Sequence, residues 1–246
     1  MDMKERIAQK RASQAASIPK EWCLSSLPPK ESGDNALQLI RNARVLTQKE
    51  MDITENVDAE LLLKKLASKE LSSAEVTTAF CKRAALAHQL TNCCTEMFFD
   101  EALESARQAD AHLARTGETL GPLHGLPVSL KDVFRVKGHD ATVGWVALAG
   151  RPVPADGAVA HIIRGMGGIL YVKTNVPQSM MSMHSIQQLM RRHALYTDAQ
   201  VDSERLIQSS IWADIEHLKH EAHLGRQFWG RRISSQRERE YSRHRD

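Results

Sequence analysis

Long apolar runs are missing from this chain. No stretch approaches the ~20 consecutive apolar residues that a membrane-crossing helix needs, so no span is expected. The opening Met-Asp-Met-Lys-Glu-Arg leads into polar residues with no apolar segment behind it, which predicts no secretory signal. Cysteine is scarce too: Cys23, Cys81, Cys93 and Cys94 are the four present. They show neither paired C-x-x-C spacing nor disulfide-scaffold density, which predicts reduced, mostly interior thiols and a cytoplasmic location. Neither sign of charge dominates, with 33 Lys and Arg against 30 Asp and Glu. A net charge of +3 implies no acidic partner, because nucleic-acid binders concentrate a larger basic excess on one face. Glycine thins out sharply, and beyond Gly168 only Gly225 and Gly230 remain. No internal repeat is visible.

What is present fits a globular domain: 246 residues, 42% hydrophobic and 26% charged, enough for one large domain or two small ones. The first thirty-odd residues, punctuated by Pro19, Pro28 and Pro29, read as an extended lead-in. Ala59, Leu62, Leu63 and Leu66 then keep the i, i+3, i+4, i+7 spacing of a helical stripe. Ser72 and Glu75 have the spacing of a capping box, starting a helix that buries Val76, Phe80, Ala84 and Ala87. A third helix from about Asp100 carries Ala102, Ala106, Ala109 and Leu113 on one face and stops at Thr116-Gly117.

The pattern changes at Gly121-Pro122-Leu123-His124-Gly125, which is turn chemistry, followed by a short buried strand over Leu126–Leu130. Asp156 is placed to cap a helix bearing Val159, Ile162, Ile163 and Met166, with Gly167 in the left-handed position after it. Ile169–Val172 is a β-rich apolar run. Strand, helix and strand at this spacing predict a βαβ crossover with a parallel pair, hence an α/β fold. After about residue 185 the chain is rich in Arg, His and Gln.

Lys131 leaves the apolar strand beside a glycine-rich turn. A desolvated lysine is pushed toward its neutral form and can take a proton from a hydroxyl nucleophile. The residues alone weigh more toward a surface lysine paired with Asp132 or another carboxylate. His124, in the turn, reads as a structural hydrogen-bonder.

The run Gly121-Pro-Leu-His-Gly-Leu-Pro-Val-Ser-Leu-Lys131-Asp132 resembles the catalytic-lysine motif of the amidase signature family. Gly138-His-Asp-Ala-Thr-Val-Gly144 and Lys173-Thr-Asn-Val-Pro-Gln178 resemble the blocks that follow it there. Upstream, Ile18–Trp22, Asp52–Glu55, Ala79–Ala85 and His88–Asn92 are similar to fungal-type acetamidases. The resemblance spans roughly residues 15 to 184. It implies part of an amidase-signature fold, N-terminal helices with part of a mixed sheet, and hydrolysis of a small carboxamide substrate without metal or organic cofactor. It assigns Lys131 the catalytic lysine, which deprotonates a bridging serine that in turn deprotonates the nucleophilic serine. By similarity to fatty-acid amide hydrolases, Met180 falls at a substrate-pocket position.

The two serines have no counterpart. Where the family continues to a Gly-Gly-Ser-Ser-Gly-Gly loop, this chain reads His184-Ser-Ile-Gln-Gln-Leu-Met-Arg-Arg. Ser209-Ser210 and Ser234-Ser235 lack flanking glycines that would let a backbone approach a substrate oxygen. The abrupt break has the form of a frameshift, retained intron or premature truncation. Two segments are therefore expected: residues 1–184, the front of an amidase-signature domain, and residues 185–246, a helical or disordered tail unrelated to the family. The chain is expected to be catalytically inactive. The alternative is a non-catalytic interaction protein associating with a full-length relative; oligomeric state is left open. His217, His220 and His223 lack H-E-x-x-H spacing and read as a polar face, so no metal is expected. The arginines from Arg231 to Arg245 are diluted by Glu238, Glu240 and Asp246, so nucleic acid is not expected either.

Overall fold

The computed structural model describes residues 2–26 and 36–180. The expected boundary at 184/185, both serine pairs, the histidine triplet and the arginine-rich end lie outside the described residues, as do Pro28 and Pro29.

Contrary to the extended lead-in that the prolines predict, Met3–Ala16 is a helix, α1. Asp2 and Glu5 form its capping box, each satisfying the other's backbone N–H, a device worth about 0.5–2 kcal/mol. Apolar periodicity misses this helix because its buried positions are Lys10 and Gln14. A 3-10 turn, Lys20–Trp22, follows and seats the Trp22 ring 5.5 Å from that of Phe99. Two short helices, α2 (Ala36–Asn42) and α3 (Gln48–Glu55), lead to α4 (Ala59–Ala67), which buries Ala59, Leu62 and Leu66 of the expected stripe.

Helix α5, Ser73–Thr91, begins at the Ser72–Glu75 capping box that the sequence predicts. It is buried on most of its circumference, including Val76, Phe80, Ala84 and Ala87, because other elements pack around it. Asn92 ends it in the left-handed conformation, and a strand without a sequence signature follows, β1, Cys94–Met97. Four residues are too few to display alternation. Helix α6, Phe99–Thr116, buries Ala102, Ala106, Ala109 and Leu113 and stops at left-handed Gly117, as the pattern predicts.

The expected strand is β2, Pro127–Lys131; α7 spans Ala158–Gly165, and β3 is Ile169–Thr174. The sheet runs β1-β3-β2, with β2 parallel and β1 antiparallel to β3. The fold is therefore α/β with a mixed sheet, and the strand–helix–strand unit is present. All six residues of central β3 are buried, and Tyr171 meets Phe80 of α5 edge to face at 6.3 Å.

Helix α7 departs from its reading in two ways. Gly157 occupies the N-cap; Asp156 instead accepts from the Lys137 amide at 2.7 Å and pairs with Arg164 at 3.3 Å. The inward face is Ala160 and Ile163, packed with Phe98, Val128, Leu130, Val136 and Leu170, whereas Val159 and Ile162 are exposed. Gly167 does take the left-handed conformation.

Candidate active site

In a parallel pair, ligands bind in the crevice beyond the carboxyl ends of the strands. Lys131 ends β2, Thr174 ends β3, and the two are register partners. The turn chemistry ahead of β2 fixes the opposite, amino end of the pair, where the Gly125 amide bonds the Gly167 carbonyl. Gly125 has φ +72°, and a Cβ there would sit 2.6 Å from Ser73 Oγ, so only glycine lets the turn close on α5. Ser73 Oγ then donates to the Gly125 carbonyl at 3.0 Å. His124 is a structural hydrogen-bonder: its Nδ1 accepts from the Leu120 amide at 3.1 Å, and burial lowers its pKa.

Lys131 itself is half-buried, and the lysine fully removed from solvent is Lys173 of β3. Asp132, also fully buried, anchors a polar cluster behind Lys131. Its Oδ1 accepts from Thr95 Oγ1 at 3.0 Å and lies 3.3 Å from Lys173 Nζ. Its Oδ2 accepts from the Thr142 amide at 2.9 Å and from the Thr142 hydroxyl. Lys173 Nζ donates as well to the Asp140 carbonyl, which ties the loop after β2 to the sheet. Burial lowers the Lys173 pKa, and neighbouring Asp132 opposes this only in part.

A second layer continues from Asp140 to α1. Lys10 bonds Glu96 of β1 and the Asp140 carboxylate, the latter at 2.8 Å, and Asp140 Oδ2 also accepts from the Gly150 amide at 2.7 Å. Burial alone would lower the Lys10 pKa, but Glu96 and Asp140 more than offset it and raise it. A cleft of about 210 Å³ lined by Arg6, Lys10, Glu96 and Asp140 lies here, and its lining includes neither Lys131 nor Met180.

The Met180 segment rests on the loop that Asp132 holds. The Ser179 amide donates to the Val143 carbonyl at 3.1 Å. Gly144, at φ +80°, approaches so closely that a Cβ would lie 2.6 Å from Gln178 Cα. Val143, Ser179 and Met180 all have positive φ, 50°, 57° and 58°. Such conformations cost about 1–3 kcal/mol each and gather where a function holds them. For β-branched Val143 this is a marked outlier. Asn175, directly after β3, donates its amide to the Cys93 carbonyl at 2.8 Å, while its buried Oδ1 has no partner.

The two predicted site residues thus stand on adjoining segments at one end of the sheet: Lys131 on the strand, and Met180, 48% exposed, on the segment bonded to the following loop. Sequence reasoning missed the Lys173–Asp132–Thr142 cluster. A lysine inside the apolar run Ile169–Thr174 was its one visible sign, because an unpaired charge does not survive in a buried strand. Among the described residues no group of His, Cys, Asp and Glu is arranged to hold a metal, and no helix is long and apolar enough to cross a membrane.

The amidase family model matches residues 75–192, which contain this whole strand end. The chain is 45% identical over 199 residues to an amidase of Gibberella moniliformis, covering 78% of this chain and 37% of that one. It is 42% identical over 188 residues to an acetamidase of Emericella nidulans, covering 76% and 34%. Among solved structures it is similar to a fatty acid amide hydrolase, with a TM-score of 0.71 and 34% identity over 76% of this chain and 33% of that one. The chain therefore spans about a third of the length of the relatives it matches. The ordered motifs, the mixed sheet and these matches agree, and the chain belongs to the amidase family.

Proposed function

We propose that this chain carries the lysine-bearing part of an amide-hydrolysing centre and, as a 246-residue protein, does not itself turn over. The observation that carries the reading is Lys131 at the carboxyl end of the parallel pair, with the buried Asp132 cluster behind it. In its neutral form Lys131 accepts the proton of a bridging serine, which accepts that of the attacking serine hydroxyl. The nucleophile forms an acyl ester as the C–N bond breaks, the relay returns a proton to the departing amine, and water then hydrolyses the ester. Met180 lies against the small carboxamide. No cofactor takes part in this chemistry. The sequence supplies no serine pair within a glycine-rich stretch, so the oxyanion donors on which acyl transfer depends are also missing from it. The boundary expected at 184/185 moves to the end of the family match at residue 192, and residues 193–246 are read as a tail outside the family.

Ammonia release from short aliphatic amides tests this, run beside Lys131→Ala. The expected result is no turnover by either protein. Turnover abolished by Lys131→Ala would overturn the inactive reading and reveal another nucleophile.

A second reading, a non-catalytic interaction protein, is favoured by Trp145 and Ile162, 45% and 56% exposed. Each is a large apolar side chain left in water, which a covering chain would bury.

A further inference from the structure

Two of the four cysteines are neighbours in the chain, and the fold turns them toward each other. Successive residues of a regular strand point to opposite faces, which keeps the sulfurs of adjacent cysteines apart. Here left-handed Asn92 turns the chain just before Cys93, and β1 starts only at Cys94. The two sulfurs lie 3.9 Å apart in a thiol–thiol contact. Hydrogen bonding from the Cys94 thiol, helped by Thr91, lowers the Cys93 pKa against the opposing effect of burial. Cys93 is 8% exposed and Cys94 fully buried, so an oxidant of about water's size meets Cys93 first. The peptide group between them is used at both ends. Its Cys93 carbonyl accepts from the Asn175 amide at 2.8 Å, and its Cys94 amide donates to His88 Nδ1 at 3.2 Å.

The structure assigns Cys93–Cys94 as a reversible oxidation site, closed to a disulfide by hydrogen peroxide, opened again by a dithiol, and coupled through its peptide group to the end of β3. The Cys93 sulfur attacks one peroxide oxygen and the O–O bond breaks. A sulfenic acid forms, and the departing hydroxide leaves as water with the Cys93 proton. The Cys94 sulfur then attacks the Cys93 sulfur. The S–S bond forms as the S–O bond breaks, and the second hydroxide leaves as water with the Cys94 proton. Two thiols are oxidised and one peroxide is reduced to two waters. Neighbouring Cα atoms are about 3.8 Å apart, short of the ~4.4 Å at which ordinary disulfides begin. The bond is therefore strained and readily reduced, the dithiol leaving as its own disulfide. The ring so formed contains the Cys93–Cys94 peptide group, and closing the sulfurs from 3.9 Å to about 2 Å turns that group away from Asn175 and His88. Asn175 opens the segment that carries Met180 and that Gly144 approaches at Gln178, so the state of the pair reaches that segment. The inference goes beyond the amidase reading and depends neither on Lys131 nor on any serine.

The test treats the full 246-residue chain, folded, with hydrogen peroxide, removes the oxidant, then denatures the chain in an alkylating reagent and maps the thiols by mass. Cys93 and Cys94 are expected to escape alkylation together, with their shared peptide lighter by two hydrogens, and dithiothreitol should restore both. In the oxidised chain the Asn175 and Cys94 amides should exchange hydrogen at least tenfold faster than in the reduced chain. Cys94→Ala removes the partner of the sulfenic acid, so peroxide should carry Cys93 on to a sulfinate and leave no disulfide there. Cys81→Ala should change neither the mass result nor the exchange result. The unsubstituted chain supplies both readouts by itself, so a variant that fails to fold does not decide the matter. The proposal is overturned if both thiols remain alkylatable after peroxide, or if either pairs with Cys23 or Cys81. A sulfinate at Cys93 of the unsubstituted chain overturns it equally. So does a Cys93–Cys94 disulfide with unchanged exchange at Asn175, since the peptide group would not have turned.

Discussion

The β1 side of the sheet and the β2 side differ in how completely their polar groups are spoken for. On the β1 side, α1 brings Lys10 and Gln14 into contact with Glu96, Asp140 and the strand carbonyls, and nearly every buried charge has a partner at hydrogen-bond distance. On the β2 side stand a half-buried lysine, an exposed methionine and three residues with positive φ. The first arrangement is built for stability. The second is held in place by the first, through Asp132 and the loop it grips.

The largest effect should come from cutting the link between the sides. Lys173→Met leaves the Asp132 carboxylate buried without its cation, a loss of about 3–5 kcal/mol. Chemical denaturation should show it, and an unchanged midpoint would mean that Lys173 and Asp132 are not an ion pair. Acidification comes next. His88, buried under β1 and accepting from the Cys94 amide at 3.2 Å, has its pKa lowered by burial from 6.5 to about 4. Between those values the unfolded chain binds a proton that the folded chain refuses. This contribution is therefore complete above pH 6.5 and declines as the pH falls toward 4, by on the order of 3 kcal/mol. His88→Asn should flatten the change in midpoint across that window.

Gln14→Ala should cost about 1 kcal/mol, the net worth of its bonds to β1, and should raise hydrogen exchange at that strand. Met180→Ala, on the other side, should move the melting equilibrium by no more than about 0.5 kcal/mol, because the side chain is largely in water. A loss above 2 kcal/mol there would erase the contrast between the two sides.

The same contrast explains what could be read before the structure. Elements that bury apolar residues at regular spacing were legible: α4, α5 with its capping box, α6 with its glycine stop, and β3 as a continuous apolar run. Helix α1 was not, because it inserts a lysine and a glutamine, and a charge buried through long-range pairing leaves no periodic trace. Strand β1 is too short for a pattern, and α7 covers its core with Ala160, a residue that contributes little to any apolar stripe. At the site, Lys131 and Met180 were reached through family motifs; Lys131 ends β2, and Met180 lies in the turn that follows β3. The cluster behind Lys131 joins residues 95, 132, 142 and 173, whose proximity depends on the sheet register and on the path of the loop after β2. The orphaned Asn175 oxygen could not be foreseen, since a missing partner is a property of the fold.

The four thiols offer a practical consequence of the packing. Cys23 is exposed, whereas Cys81, Cys93 and Cys94 are buried, and burial pushes the Cys81 thiol up, away from its reactive form. A maleimide dye should therefore attach once per chain within seconds, beside Trp22 in its contact with Phe99. Three further attachments should wait for the molecule to open. The slow phase of such labelling is a clock for global unfolding, readable by mass alone in a lysate where no other assay for this protein would work.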